Sequence, residues 1–205
     1  MKAIIIGIIC LFSSICKGQN LGLSLESGVH TLISLTEGNK GTLKDKYSSS
    51  FNIEPNIKFF FPIKDGFSFV SGFYFNYSKL GYTNAFSESQ EIQIQKFGFP
   101  LQFKFLNSYI PSIGISYSRI VTSRIKYNEW ENFDVTSNNL SLILEQKIWS
   151  NKFFEFGINS EFGLTEFFTN GEVDLSSPTS VVGETSYYDT YVNCYFQYII
   201  RHKRE

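Results

Sequence analysis

The sequence predicts an all-β fold, an eight-stranded antiparallel up-and-down transmembrane β-barrel that is preceded by a cleavable signal peptide. Three observations predict it. Large apolar residues alternate with polar ones over eight segments of the chain. Short turns and long polar loops join these segments in alternation. The composition, with 22 Phe and 12 Tyr against a single Met, suits strands far better than helices.

Residues 1–18 are interpreted as a secretory signal peptide. One lysine precedes an apolar stretch of roughly a dozen residues, which is too short to span a bilayer as a helix. Cys16 and Gly18 are the small residues expected at positions −3 and −1 of a cleavage site. We therefore divide the chain into a signal peptide, 1–18, and one barrel domain, 19–205.

The clearest strand pair is a β-hairpin over residues 51–77. Apolar residues occupy alternate positions on both sides of Asp65-Gly66, and Asp-Gly between two such runs is a hairpin signal. The same alternation predicts all eight strands, at about 21–35, 51–63, 67–77, 92–105, 113–124, 140–148, 154–164 and 188–200. The fourth strand slips phase at Gln95-Lys96, which predicts a β-bulge. Pro55 and Pro100 lie in mid-strand, and we expect a local bulge at each because proline cannot donate to the ladder.

The connections alternate between two kinds. Short turns are predicted near residues 65, 108 and 151, and long polar loops near 36–49, 79–90, 126–138 and 169–186. This is the layout of bacterial outer-membrane barrels, in which the short turns face the periplasm and the long loops face outward. The pattern therefore predicts an outer-membrane location with both termini in the periplasm.

The number of phenylalanines predicts which face of the barrel points inward. An eight-stranded barrel has an interior that side chains just fill. The apolar face carries more than a dozen Phe, so we expect it to face lipid and the polar face to line the interior. The ionisable residues predicted to form an interior charge network are Glu26, His30, Glu54, Lys58, Lys104, Glu145, Lys147, Glu155 and Glu161. Aromatic girdles are predicted from Tyr109 and Trp149 at one rim and from Tyr77, Tyr82, Tyr187 and Tyr188 at the other.

Three short motifs resemble those of the PorT-like outer-membrane β-barrel family of Bacteroidetes. They are the Gly18-Gln19 end of the signal peptide, Phe99-Pro100-Leu101 with Phe103-Lys104-Phe105, and the Pro-x-x-Gly of residues 111–114. The resemblance implies an eight-stranded barrel with no settled activity, in a family with members linked to protein secretion and gliding. One departure is the basic tail after Tyr198, where such barrels commonly end near an aromatic residue.

Three functions remain open from the sequence. The interior charges could form a structural plug of ion pairs, which we expect, or a narrow proton or ion path. A lipid-modifying enzyme would need a nucleophile, a base and an orienting carboxylate. His30 is the single histidine of the predicted barrel, and no motif selects a serine to go with it. We therefore expect no catalytic residue.

The remaining expectations concern ligands and partners. We expect no metal and no cofactor, because no cluster of His and Cys has the spacing of a metal site. The 18 basic and 19 acidic side chains give no electrostatic reason for a nucleic-acid partner. Trp130 and Phe133, in a long loop, are candidates for recognition by other envelope or secretion proteins. The expected surroundings are outer-membrane lipid, with the protein as a monomer.

Overall fold

Eight antiparallel strands close into one ring. The computed structural model describes residues 20–34, 42–43, 46–64, 66–83, 89–105, 110–126, 130–132, 135–174 and 181–200. Each ring strand pairs with the next ring strand along the chain. The last strand pairs with the first, from Leu21 opposite Ile200 to Ser34 opposite Tyr187. The predicted eight-stranded up-and-down barrel is confirmed, and the predicted signal peptide, 1–18, lies outside the described residues.

The strands differ in length and place. The ring consists of β1 (Asn20–Ser34), β4 (Ser50–Lys64), β5 (Phe67–Thr83), β6 (Ser89–Phe105), β7 (Ser112–Lys126), β9 (Asn138–Ser150), β10 (Phe154–Gly163) and β12 (Val181–Ile200). Four short strands, β2 (Thr42–Leu43), β3 (Lys46–Ser48), β8 (Trp130–Asn132) and β11 (Phe168–Asp174), lie at one end of it. We call this the long-loop end and the opposite one the short-turn end. The described residues contain no helix of the length and hydrophobicity needed to cross a membrane.

The long-loop end holds more regular structure than the sequence predicted. β3 pairs with β5, β8 pairs with β7, and β11 pairs with the first part of β12. The expectation of polar loops over 36–49, 126–138 and 169–186 was therefore wrong in these places. Backbone N–H and C=O groups that rise above the barrel rim still need partners, and neighbouring strands supply them.

The short-turn end has tight connections. Gly66 follows β4 with a φ of 85°, a left-handed conformation that glycine adopts at little cost. After β9, the side chain of Asn151 accepts hydrogen bonds from the backbone N–H groups of Phe153 and Phe154, both at 2.8 Å. The predicted turn at Asn107-Ser108 lies outside the described residues.

The two faces of the barrel have opposite chemistry. The side chains of Leu25, Phe51 and Phe196 are about half exposed on the outer face. Their polar neighbours along the same strands, such as Glu26 and Gln197, are fully buried in the interior. A soluble barrel would show the reverse arrangement, because its apolar side chains would fill the interior. An apolar outside around a polar inside is the arrangement of a transmembrane barrel.

The bulge predicted at Gln95-Lys96 is present, but the additional residue lies on the neighbouring strand. The β6–β7 register does shift there, but the additional residue is Val121 on β7. β6 itself keeps strict alternation, with Ile92, Ile94 and Lys96 all buried in the interior. The change of pattern in β6 therefore reflects a change of interior chemistry, from apolar at the long-loop end to polar further down.

The bulges expected at Pro55 and Pro100 are absent. The β4–β5 and β5–β6 ladders resume beyond each proline in the same register. Two pairs are missing from each of these ladders beside the proline, so the lost donor interrupts hydrogen bonding without displacing the strand.

One member of the predicted aromatic girdle was assigned to the wrong face. Tyr187 points inward and belongs to an apolar cluster at the long-loop end. We call this cluster the cap, and its buried members are Leu80, Ile92, Ile94, Ile125, Phe167 and Tyr187. The backbone of Phe167 donates to Tyr187 O and accepts from Thr136 N, both at 2.7 Å. Segments that follow β8 and β10 therefore fold across the mouth of the barrel, while Trp149 is half exposed at the short-turn end as expected.

Candidate functional site

The interior of the barrel holds a network of ion pairs. Inward positions alternate along every ring strand, so each strand contributes polar side chains to the same narrow space. Toward the short-turn end, Lys58 Nζ donates to Glu26 Oε1 at 3.1 Å and to Glu145 Oε2 at 2.8 Å. Lys104 Nζ donates to Glu145 Oε1 at 2.8 Å and also bonds Glu155. These five residues form a continuous chain of opposite charges.

A second group lies nearer the cap. Lys96 Nζ donates to Glu161 Oε1 at 3.1 Å and to Asp189 Oδ2 at 3.3 Å. Asp189 also pairs with His30 Nε2, and Asn139 donates to the same carboxylate at 3.1 Å. Lys96 and His30 are fully buried. In both groups each lysine bridges two carboxylates from different strands, which ties one wall of the barrel to another.

Aromatic rings surround the ammonium groups. Lys96 Nζ lies 3.9 Å from the centre of the Tyr191 ring, which also stacks on His30 at 4.2 Å. Lys58 Nζ lies 5.2 Å from the centre of the Tyr195 ring, and the Tyr195 hydroxyl donates to Glu155 at 2.9 Å. These contacts supply the cation–π and hydrogen-bond partners that a charge buried away from water requires.

Glu54 differs from the other interior carboxylates. It lies directly opposite Glu26 in the β1–β4 ladder and is 3% exposed. Its hydrogen-bond donors are two amides, Asn76 at 2.8 Å and Asn56 at 3.2 Å. Within the described interior no lysine or arginine pairs with it. The described interior therefore holds six carboxyl groups against three lysines and one histidine, and Glu54 is the one without a cation.

The free space at the centre of the charge network is small. The space between Glu26, Glu54, Tyr74 and Glu161 is about 10 Å³, no more than a single water requires. Above it the cap packs at the long-loop end, and below it a recess of about 250 Å³ opens beside Lys104 at the short-turn end. The described side chains therefore constrict the barrel at the level of Glu54 and Glu161.

The structure brings most of the predicted interior residues together. Glu26, His30, Glu54, Lys58, Lys104, Glu145, Glu155 and Glu161 are buried in the interior. Lys147 is half-buried and lines the recess at the short-turn end. Lys147 keeps the register of Glu145 in the β9–β10 ladder, and the register shift, with Ile148 as the additional residue, follows directly after it.

Two residues of the network were missed from the sequence. Lys96 was passed over because it lies at the apparent phase slip of β6, although it keeps the inward parity of Lys104. Asp189 lies at the inward parity of Tyr191, in a segment interpreted as the beginning of a strand. Counting every second position back from the regularly alternating part of β6 and of β12 would have placed both residues in the interior.

Of the two predicted recognition residues, one lies in a described strand. The backbone of Trp130 begins β8, opposite Lys126 of β7. Phe133 lies outside the described residues. Among the described residues, no group of three or more His, Cys, Asp or Glu side chains is placed to hold a metal ion.

Comparison with known proteins identifies relatives by fold alone. No protein-family description matches the sequence, and no curated protein matches it. The solved structures it resembles are outer-membrane proteins. Neisserial surface protein A matches 88% of this chain and 98% of its own at 10% identity, with a TM-score of 0.46. AlkL, solved in lipid bilayers, matches 92% of this chain and 93% of its own at 8% identity, with a TM-score of 0.49.

A third structure, OprG from Pseudomonas aeruginosa, matches 90% of this chain and 97% of its own at 10% identity, with a TM-score of 0.42. Identities of 8–10% carry no information on activity or ligand. The assignment as a transmembrane barrel therefore rests on the closed ring of strands and on its apolar outer face.

Proposed function

We propose that this protein is a monomeric outer-membrane barrel with a sealed interior, which acts as a structural or binding component of the cell envelope. The observation that carries this proposal is the constriction in the charge network, where the space between Glu26, Glu54, Tyr74 and Glu161 is about 10 Å³. The interior side chains tie the walls together, and the exposed long-loop end is the surface offered to other molecules.

The sequence motifs extend the proposal to a family and a process. Phe99-Pro100-Leu101 and the Pro-x-x-Gly of residues 111–114 resemble PorT-like barrels of Bacteroidetes, which supports a partner in secretion or envelope assembly. On this proposal the signal peptide exports the chain, the short-turn end faces the periplasm, and the long-loop end faces outward.

The proposal excludes a catalytic role for His30. Its Nε2 pairs with Asp189, which resembles the base and the orienting carboxylate of a catalytic triad. However, His30 is fully buried beneath the cap, and within the described residues its Nδ1 has no hydrogen-bond partner to serve as a nucleophile. The stacked Tyr191 ring and Lys96 give the pair a structural role instead.

The test combines conductance with crosslinking in native membranes. We expect the purified protein to give no discrete conductance in planar bilayers, with a porin in the same bilayer as the positive control. A photo-crosslinking residue at Glu131, exposed at the long-loop end, should capture a reproducible envelope protein. The matched position Lys152, exposed at the short-turn end, should not capture that protein. Steady channel openings, or capture at neither position, would contradict the proposal.

A further inference from the structure

The bulge in β7 places two arginines on the same face of the barrel. Arg119 and Arg124 are five residues apart, and in a regular strand they would point to opposite faces. The additional residue Val121 reverses the parity between them. Both arginines are exposed, whereas Ile125 next to Arg124 is buried in the interior. A single irregularity of the ladder therefore directs both guanidinium groups outward.

The bulge also opens a notch in the barrel wall. β7 pairs with β9 as far as Arg119 opposite Asn138, and with β8 from Arg124 opposite Asn132. On this edge, residues 120–123 have no paired strand among the described residues, and Ile120 N donates to Ser137 O at 2.8 Å. A recess of about 390 Å³ occupies the notch.

Hydrogen-bonding side chains line this recess. Its polar lining consists of Thr122, Ser123, Arg124, Asn132 and Ser137. Thr122 and Arg124 lie on the outer face, opposite Gln95 and Gln93 of β6. Ser123 pairs with the buried Ile94, so its hydroxyl faces the interior. Hydroxyl and amide donors beside a guanidinium are the groups that bind phosphate oxygens, and Thr122 and Asn132 supply them beside Arg124.

The described residues leave the two arginines without an acidic partner. Nearby Lys79 and Glu91 form their own ion pair at 2.9 Å, and the lysine lowers the pKa of Glu91, which keeps that carboxylate charged. Among the described residues no carboxylate pairs with Arg119 or Arg124. The described outer face of β7 therefore presents two guanidinium groups that are available to an anionic partner.

The arginines lie where the apolar outer face ends. Ile113, Ile115 and Tyr117 are exposed along β7, and Arg119 is the next outward residue toward the long-loop end. The Tyr117 hydroxyl donates to Asn138 Oδ1 at 2.9 Å, so the polar edge of this ring marks the boundary. Charges immediately beyond an apolar band lie at the level of lipid headgroups.

We propose that the notch in β7 is a binding site for the phosphate group of an outer-leaflet glycolipid, with Arg124 as its cationic ligand and Arg119 as a second cation at its border. Arg124, with the hydroxyl of Thr122 and the amide of Asn132, holds the phosphate. Arg119 borders the notch toward the apolar band, where the acyl chains of the same lipid contact Tyr117. This site rests on the proposed outer-membrane location.

The experiment compares lipid A with its dephosphorylated form. The full-length mature protein is folded in detergent, and lipid A, dephosphorylated lipid A and inorganic phosphate are titrated in turn, with retention measured by native mass spectrometry. The double variant Arg119→Gln/Arg124→Gln is compared with wild type and with Lys152→Gln, an exposed cation at the short-turn end. We expect the double variant to bind lipid A at least about tenfold more weakly, and Lys152→Gln to bind it as wild type does.

Each alternative outcome overturns the proposal. Equal binding of lipid A by the double variant, or equal binding of the dephosphorylated lipid by wild type, shows that phosphate and these arginines do not form the site. Competition by inorganic phosphate at the same concentration as lipid A shows a free-anion site instead. The two single variants are measured if the double variant does not fold. A barrel that folds and inserts without phosphate-dependent binding refutes this site alone, whereas a chain that does not insert refutes the proposed function.

Discussion

At the scale of single residues, the stability of this barrel depends on how each buried charge is matched. Lys58, Lys96 and Lys104 each bridge two carboxylates, and removing one partner of a buried pair leaves the other uncompensated. Glu54 is the exception, since the side chains that donate hydrogen bonds to it are amides and no described cation pairs with it. Glu54 is therefore the one carboxyl group of the described network whose negative charge balances no described cation.

We expect Glu54→Gln to stabilise the barrel. The substitution replaces a carboxyl that faces Glu26 without a cationic partner by a neutral amide of the same shape, and stability should rise by about 1 kcal/mol, the lower end of the cost of an incompletely satisfied buried polar group. Asn76 Oδ1 is buried and without a partner in the described structure, so a turn of this amide provides an acceptor for the new NH₂ group. Urea unfolding in lipid vesicles at neutral pH measures the change.

The matched control is Glu145→Gln. Glu145 accepts from both Lys58 and Lys104, and its neutralisation should lower stability by about 3 kcal/mol. If the two substitutions changed the free energy of unfolding equally, the different hydrogen-bond partners of Glu54 and Glu145 would not affect stability.

At the scale of strands, glycines set how closely the interior can pack. A Cβ on Gly98 of β6 would lie 2.3 Å from the ring of Tyr74 on β5, so this ring lies directly over the glycine. There the Tyr74 hydroxyl reaches Ser116 Oγ on β7 at 2.6 Å. The glycine thus allows one tyrosine to span three consecutive ring strands.

We expect Gly98→Ala to destabilise the barrel by about 1–3 kcal/mol, because the added methyl overpacks a filled interior. The tyrosine has to move, and its bond to Ser116 is lost. In the Tyr74→Leu background the added methyl group meets no ring. The further loss of stability caused by Gly98→Ala should therefore be close to zero in that background. A double-mutant cycle by urea unfolding measures this coupling. Additive effects of the two substitutions would contradict the packing argument.

At the scale of the whole molecule, closure of the ring makes the protein a barrel. The seam between β1 and β12 extends over fourteen paired positions, from Leu21 to Ser34 on β1. At its centre, a Cβ on Gly28 would lie 2.0 Å from the carbonyl oxygen of Val192. A larger residue there cannot be accommodated without separating the two strands.

Closure predicts a change of mobility on heating. We expect the unheated protein to migrate faster in SDS than the boiled protein, because a closed ring of hydrogen-bonded strands resists the detergent. Gly28→Val should abolish this shift by opening the seam, and Val121→Thr, at an exposed position, should retain it. Identical mobility of unheated and boiled wild type would refute the closed barrel.

Several features of the molecule could be predicted from the sequence because they depend on local geometry. A strand has a period of two, so alternation fixed the eight ring strands and the face of Glu26, Lys58 and Glu161. The excess of phenylalanine then assigned the apolar face to lipid. Along β6 the inward-facing residues change from apolar to charged between Ile94 and Lys96. At such a place the alternation of apolar and polar residues no longer indicates which side chains face the interior.

Other features were decided by the tertiary structure, because they join residues far apart in the chain. No local pattern indicates that Lys96 pairs with Asp189, or that Lys58 reaches Glu145, since these contacts cross the barrel. The same holds for the cap and for the bulge at Val121, which depend on neighbouring strands. The sequence by itself determined the eight ring strands, their order and their polar face. The closed barrel determined which charges meet, because only closure brings opposite walls within hydrogen-bond distance.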